Sequence, residues 1–187
     1  RKLEPESEIS VIHNLITSLS VPETIEKAGA VPVRTRVGHS LVKDEMAATG
    51  AIFGGEHSAH YYFRDFWGAD NGMLAAMHIL AEFGHQTGPL SALAKTYTPY
   101  AASGEINSTV DDIPAAYTRI VDAFTGLAEF DDLDGLTVTG NSSTQEPFWW
   151  FNVRPSNTEP LLRLNAEAGT TEQMVRIRDR VLALIRE

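Results

Sequence analysis

The chain has 187 residues, of which 43% are hydrophobic and 21% are charged, and it contains no cysteine. This size and composition fit one large globular domain or two small ones, and the lack of cysteine excludes disulfides and thiol catalysis. The formal net charge of −10 argues against a general nucleic-acid binder, and no apolar run is long enough to cross a membrane. We therefore expect a cytoplasmic protein that binds neither nucleic acid nor membrane.

The first half of the chain alternates strand and helix patterns. Strands are predicted at 9–16, 31–35, 51–53 and 61–63, and helices at 22–29, 39–49, 73–83 and 90–95. The first strand, helix and second strand are spaced as in a parallel crossover unit. Asp70 is the expected cap of the helix that begins at Met73.

The second half has a different pattern, in which strands dominate. Strands are predicted at 103–110, 136–138, 148–153 and 161–168, and a helix at 111–124. A last helix is predicted after a cap at Thr170 or Thr171, where Met174, Ile177, Val181 and Ile185 have helical spacing. We therefore predict an α/β domain over residues 1–93, with a mainly parallel mixed sheet, followed by an α+β domain over residues 97–187 with an antiparallel sheet.

A polar loop follows the strand predicted at 51–53. Gly54 and Gly55 carry no side chain, which lets a ligand approach the backbone. Glu56 is an acceptor suited to a pair of sugar hydroxyls, and Ser58 and His60 can add hydrogen bonds. The alternative is that Glu56 is a surface carboxylate and His60 an ordinary histidine, and the local pattern favours neither.

A second polar loop separates the strands predicted at 148–153 and 161–168. Arg154 supplies a fixed cation with a bidentate fork suited to phosphate, and Ser156, Asn157 and Thr158 supply short donors. The alternative is an ordinary hairpin turn whose polar side chains bond to their own backbone. Together the two loops suggest a protein that handles a phosphorylated sugar.

Three histidines add further hypotheses. His39 follows Gly38 at a helix start, where it can donate to phosphate or hydroxyl, or act only as a capping or buried residue. His57 and His60, with Glu56, could form the metal site of a hydrolase. That pattern is weak, because the zinc-protease helix needs histidines four residues apart.

Three segments together carry a family resemblance, namely Val37–Lys43, Gly54–Phe66 and Arg154–Pro160. With them the chain resembles the C-terminal half of the phosphomannomutase/phosphoglucomutase family of α-D-phosphohexomutases, and the phosphomannomutases in particular. The resemblance implies that the sugar is bound by Glu56 and Ser58, with His60 alongside, and that Gly38 and His39 belong to a further substrate-contacting loop. It implies that phosphate is bound by Arg154, Ser156, Asn157 and Thr158. It implies no catalytic residue and no metal ligand in this chain.

The family's phosphoserine loop and Asp-rich magnesium loop have no counterpart in the sequence. The resemblance therefore implies that Mg²⁺ and the serine belong to a missing N-terminal half of the same chain, that no cofactor binds here, and that these residues alone are inactive. It also implies an incomplete first domain, lacking a strand and a helix. A basic residue common in relatives is absent from Ile16–Leu19.

The function implied is that of an isomerase, an intramolecular phosphotransferase. It would interconvert the 6-phosphate and 1-phosphate of mannose or glucose through a phosphoserine and a bisphosphate intermediate. The alternative is a non-catalytic phosphosugar-binding module that keeps the loops without the chemistry.

Overall fold

The computed structural model describes residues 9–140, 148–156 and 159–187. The chain divides into two compact units, Arg1–Pro99 and Tyr100–Glu187. The first contains a mixed sheet and the second an antiparallel sheet, each with helices, so the predicted order of an α/β and an α+β domain is confirmed. No helix in the described part of the chain is long and apolar enough to cross a membrane.

The first unit alternates strands and helices before it ends in two helices. In chain order its elements are β1 (Ser10–Asn14), α1 (Ser20–Lys27), β2 (Val31–Thr35), α2 (His39–Thr49), β3 (Phe53–Gly55), β4 (Tyr61–Phe63), β5 (Ala69–Asp70), α3 (Gly72–Gly84) and α4 (Leu90–Tyr97). The strand order is β2-β1-β3-β4-β5. β1 is parallel to β2 and β3, which confirms the predicted crossover unit, whereas β4 is antiparallel to β3 and β5.

The parallel part of this sheet has one edge at which the carboxyl ends of β1, β2 and β3 meet. The chain leaves β1 for β2 on one side, whereas it leaves β3 for β4 on the other side. Open α/β sheets bind ligands in the crevice where neighbouring strands connect in opposite directions. The loops that follow these three strands therefore mark the expected ligand site of the first unit.

Gly54 has a packing role that the sequence analysis did not predict. A Cβ atom at this buried glycine would lie 2.9 Å from Val42 Cγ1 and 3.1 Å from the sulfur of Met46. Both of these residues belong to α2 and to the core of the unit, together with Ile12 and Tyr62. Gly54 thus lets α2 lie directly on the sheet and, through α2, fixes the position of the helix N-terminus at the ligand edge.

The second unit is a sheet covered by two helices. Its elements are β6 (Ala101–Ala102), β7 (Ile106–Thr109), α5 (Ile113–Phe124), β8 (Ala128–Asp131), β9 (Leu136–Gly140), β10 (Trp149–Pro155), β11 (Leu161–Ala168) and α6 (Thr171–Arg186). The strand order is β6-β11-β10-β9-β8, with β7 also pairing with β11, and every pairing is antiparallel.

The core of the second unit lies between this sheet and the helices α5 and α6. The predicted inner face of the last helix is confirmed, because its four apolar positions, Met174, Ile177, Val181 and Ile185, are all buried. Of the two predicted caps, Thr170 is the one in the structure, since its side chain accepts a hydrogen bond from the backbone N–H of Gln173. This packing holds β10 and β11, the two strands that flank the predicted phosphate loop, against the helices.

Two local predictions differ from the structure. Asn71, and not Asp70, caps α3 by accepting a hydrogen bond from the Leu74 N–H at 2.9 Å, while Asp70 ends β5. The strand predicted at 103–110 is confirmed only over Ile106–Thr109 (β7), because the chain turns at Gly104, whose φ of +67° lies in the left-handed region, between β6 and β7. The strand β8 was not predicted at all.

Candidate functional site

The structure brings the predicted residues of the first unit together at the carboxyl edge of its sheet. Gly38 and His39 follow β2, and Glu56, Ser58 and His60 follow β3. Glu56 is only 6% exposed, whereas His39, Ser58 and His60 are exposed. The loops therefore present two imidazoles and a hydroxyl to solvent above a buried carboxylate.

Glu56 connects two of these loops through hydrogen bonds. One carboxylate oxygen accepts a hydrogen bond from the Gly38 N–H at 3.3 Å, and the other accepts one from the Tyr62 hydroxyl at 2.7 Å. Gly38 has φ +154°, a conformation that favours glycine, and this orients its N–H toward Glu56. Each carboxylate oxygen keeps further lone pairs, so Glu56 holds the loops and still has acceptor capacity.

Tyr62 connects Glu56 to His39. Because the Tyr62 hydroxyl proton goes to Glu56, the Tyr62 oxygen accepts from Nδ1 of His39, 2.6 Å away. His39 therefore carries a proton on Nδ1, and Nε2 is the atom left to meet a ligand. Burial, with the hydrogen bond to Glu56, raises the pKa of Tyr62 above its ordinary value, so the phenol stays protonated at neutral pH.

His60 is held by Asp70, the residue that the sequence analysis assigned to a helix cap. The distance from His60 Nδ1 to Asp70 Oδ2 is 2.7 Å, and the other Asp70 oxygen accepts from the Tyr61 N–H at 2.9 Å. The hydrogen bond to Asp70 raises the pKa of His60, and the same bond lowers the pKa of Asp70. His60 is thus oriented by a carboxylate and has its ring beside that of His39, with 5.6 Å between ring centroids.

The turn between Glu56 and His60 is tight. The Glu56 N–H donates to the His60 carbonyl and the Ala59 N–H donates to the Glu56 carbonyl, both at 3.0 Å. Ala59 has φ +66°, a left-handed conformation that a residue with a side chain rarely adopts. Such strain is found at binding loops, where surrounding contacts impose it. Here the two backbone bonds impose it and set the positions of Ser58 and His60.

The hypothesis of a metal site formed by His57, His60 and Glu56 is wrong about two of the three ligands. Within the ranges that the structure describes, the group able to hold an ion consists of His39, His60 and Asp70, whose ligand atoms lie within 4.8 Å of one another. His57 does not belong to it, and Glu56 is engaged with Gly38 and Tyr62.

A second cation, Arg163 on β11, lies beside the predicted phosphate loop of the second unit, and the sequence pattern did not indicate it. Arg154 and Arg163 are paired in the register of β10 and β11, and both contact Glu105, at 3.3 Å and 3.2 Å. Arg163 also donates to the Ser156 hydroxyl at 3.2 Å. The predicted Asn157 and Thr158 lie outside the described residues.

The charges in this cluster are unequal. Two guanidinium groups share the single carboxylate of Glu105, which leaves one positive charge in excess. The Nε atoms of Arg154 and Arg163 are buried and have no acceptor among the described residues. Arg154 and Arg163 are paired across β10 and β11, and Arg163 contacts Ser156, so these residues offer donors and a net positive charge of the kind that binds an anion. Strand pairing could have indicated Arg163, because it is the direct partner of Arg154.

The fold and these loops are those of the last two domains of an α-D-phosphohexomutase. Residues 1–100 match the family model "Phosphoglucomutase/phosphomannomutase, alpha/beta/alpha domain III", and residues 105–184 match "Phosphoglucomutase/phosphomannomutase, C-terminal domain". The chain belongs to the phosphoglucomutase/phosphomannomutase family, as its three sequence segments predicted.

Individual proteins agree with this assignment. A phosphomannomutase from Methanocaldococcus jannaschii is 37% identical over 172 residues, which are 92% of this chain and 37% of the relative. The crystal structure of a phosphoglucomutase/phosphomannomutase family protein from Burkholderia thailandensis matches with a TM-score of 0.75 at 27% identity, over 94% of this chain and 37% of that one.

A more distant match shares the fold alone. The N-acetylphosphoglucosamine mutase of Aspergillus fumigatus, solved in complex with glucose 1,6-bisphosphate, has a TM-score of 0.63 at 16% identity, over 96% of this chain and 38% of that one. The chain therefore spans between 37% and 38% of the length of these three proteins.

Proposed function

We propose that the chain supplies the hexose-binding and phosphate-binding loops of a phosphohexomutase that interconverts hexose 6-phosphate and hexose 1-phosphate. The observation that carries the proposal is the loop network of the first unit, in which Glu56 and Tyr62 hold His39 and Gly38 in place beside His60. Imidazoles and a carboxylate held in fixed positions can bond to sugar hydroxyls without losing side-chain freedom on binding.

In the second unit, we propose that phosphate binds to Arg154, Ser156 and Arg163, together with Asn157 and Thr158. The excess positive charge around Glu105 supports this role, as does the contact between Arg163 and Ser156. A phosphate that accepts from both guanidinium forks would gain charge-assisted hydrogen bonds, which are stronger than neutral ones.

We propose that the reaction takes place through a phosphoserine outside these residues. The phosphoryl group would pass from that serine to the free hydroxyl of the hexose phosphate, giving a bisphosphate. The other phosphate of the bisphosphate would then return to the serine. In such transfers, positioning and charge neutralisation supply most of the catalysis. The residues described here would position the hexose through His39, Glu56 and His60, and bind the phosphate that is not transferred through Arg154 and Arg163.

Magnesium would belong to the same serine-bearing part, where it would neutralise charge on the transferred phosphoryl group. The ion-binding group of this chain is a poor match for it, because His39 and His60 offer nitrogen where Mg²⁺ prefers oxygen. A cytoplasmic location stays a prediction.

Calorimetric titration of the 187-residue chain with mannose 1-phosphate and glucose 6-phosphate tests the binding roles. A hydrogen bond to a charged group is worth about 1.5–3 kcal/mol. Arg154→Ala and Arg163→Ala are therefore each expected to weaken binding by about tenfold to 150-fold. Arg178→Ala is the matched control, because Arg178 lies on α6 and pairs with Asp179. Equal affinities in all three variants would show that the arginine pair is structural.

An activity assay tests whether the chemical step depends on residues outside this chain. We expect no turnover of mannose 1-phosphate by the 187 residues with Mg²⁺ and a hexose bisphosphate present, because the chain has no counterpart of the phosphoserine loop. Turnover would contradict the assignment of the chemistry to residues outside this chain. Binding without turnover, even when these residues are part of a longer chain that has the serine loop, would instead identify a non-catalytic phosphosugar-binding module.

A further inference from the structure

His39, His60 and Asp70 converge from three different elements of the first unit. His39 begins α2, His60 precedes β4 and Asp70 ends β5. Each offers one ligand atom, and these atoms lie within 4.8 Å of one another. Two of the three residues are exposed and Asp70 is partly exposed, so an ion can reach them from solvent.

The surroundings prepare His39 for metal binding. Nδ1 of His39 donates to Tyr62, whose own proton is taken by the carboxylate of Glu56. This chain of hydrogen bonds leaves the lone pair of His39 on Nε2. Histidines that bind metals commonly donate their other ring N–H to an oxygen in this way, which fixes the tautomer and the ring orientation.

Asp70 and His60 already lie close enough together to bind one ion between them. Their nitrogen and oxygen atoms are 2.7 Å apart, and the second Asp70 oxygen is held by the Tyr61 N–H. An ion held by both groups would take the place of the hydrogen that they share. Since the Tyr61 N–H holds Asp70 and Asp70 in turn holds His60, little further ordering is needed when the ion binds.

We propose that His39, His60 and Asp70 bind a first-row transition metal ion such as Zn²⁺ or Co²⁺. Imidazole suits these ions, whereas Mg²⁺ prefers sites made only of oxygen. Three protein ligands leave at least one coordination position for water. Because His39 and His60 are also the proposed sugar contacts, the ion and the hexose would exclude each other, and this second statement rests on the proposed function.

Calorimetric titration of the 187-residue chain with ZnCl₂ tests the site. The expected result is one bound ion per chain, with affinity lowered at least about tenfold by His60→Ala and by Asp70→Asn. His57→Ala is the matched control, because His57 is an exposed histidine in the same loop that does not belong to the group. It should bind Zn²⁺ as the unchanged chain does, and MgCl₂ should give no comparable binding.

Several outcomes would overturn the site. They are the absence of Zn²⁺ binding, binding that survives both His60→Ala and Asp70→Asn, and Mg²⁺ binding as strong as that of Zn²⁺. Circular dichroism of each variant establishes that it is folded. Nitrogen NMR of the histidine rings gives a second measurement, in which Zn²⁺ should perturb Nε2 of His39 while Nδ1 keeps its proton. Perturbation of His57 alone would contradict the assignment.

Competition with a hexose phosphate tests the consequence separately. Adding mannose 1-phosphate should lower the apparent affinity for Zn²⁺ in the unchanged chain. If Zn²⁺ binds as expected through His60 and Asp70 but the hexose phosphate has no effect, the metal site stands and the proposed sugar role of these loops fails. If the hexose phosphate binds and Zn²⁺ does not, the metal site fails and the proposed function stands.

Discussion

Replacing Glu56 by alanine should destabilise the first unit far more than the same replacement of a surface glutamate does. The side chain is 6% exposed and accepts hydrogen bonds from Gly38 and Tyr62. Hydrogen bonds to a charged group are worth about 1.5–3 kcal/mol each, which gives about 3–6 kcal/mol for the pair. The bond to Gly38 is long at 3.3 Å, and removing a buried carboxylate recovers part of its desolvation penalty. We therefore expect a net loss of about 2–4 kcal/mol.

Native-state hydrogen exchange of amides in β1, β3 and β4 measures this loss within the first unit. Tyr62→Phe removes only one of the two bonds and should cost less than Glu56→Ala. Glu26→Ala is the matched control, because Glu26 is an exposed glutamate on α1 and its loss should change the opening free energy by less than about 0.5 kcal/mol. If Glu56→Ala has no larger effect than Glu26→Ala, Glu56 does not hold the loops, and its geometry does not define the site.

Two further predictions concern the same unit. Gly54→Ala should destabilise it by about 1–3 kcal/mol in the same exchange measurement, because the added methyl overlaps Val42 of α2. Gly55→Ala should be milder, since its Cβ would meet no atom closer than 3.5 Å, and equal losses would contradict the packing argument. Asp70→Asn should bring the pKa of His60 back down toward 6.5 in an NMR titration. Because this pKa is raised, the pairing stabilises the fold below pH 6.5, and the contribution is lost as the pH rises through the pKa of folded His60. A His60 pKa that is unchanged in the Asp70→Asn variant would contradict the pairing.

Elements with strong local patterns could be predicted from the sequence. The face of α6 that contains Met174 and Val181 follows from helical spacing, and the strand that ends at Thr35 follows from its apolar run between turn residues. The loop containing Glu56 was found because glycines and polar residues follow a predicted strand. Each of these patterns is formed by residues that are close together in the sequence, so a short segment is enough to show it.

The contacts that complete the site depend on strand pairing and could not be found in the same way. Asp70 and Asn71 are adjacent and both are good caps, so only the structure shows that Asn71 caps α3 while Asp70 turns to His60. Tyr62 meets His39 across 23 positions of sequence.

The same limit applies to the second unit and to Gly54. Arg163 and Glu105 meet across 58 positions, so no short window links them. The sequence pattern at Gly54 indicates ligand approach, because a glycine at a strand end fits that role as well as a packing role. Packing against α2 is visible only once the helix is in place.

The most direct test of the proposed function is an amide NMR titration of the chain with mannose 1-phosphate. Shifts are expected at Gly38, Glu56 and His60 in the first unit and at Ser156 and Arg163 in the second. Inorganic phosphate, which has no hydroxyls of a sugar, should shift only the residues of the second unit. Shifts confined to other parts of the chain, or equal effects of the two ligands at His60, would contradict the assignment of these loops to a hexose phosphate.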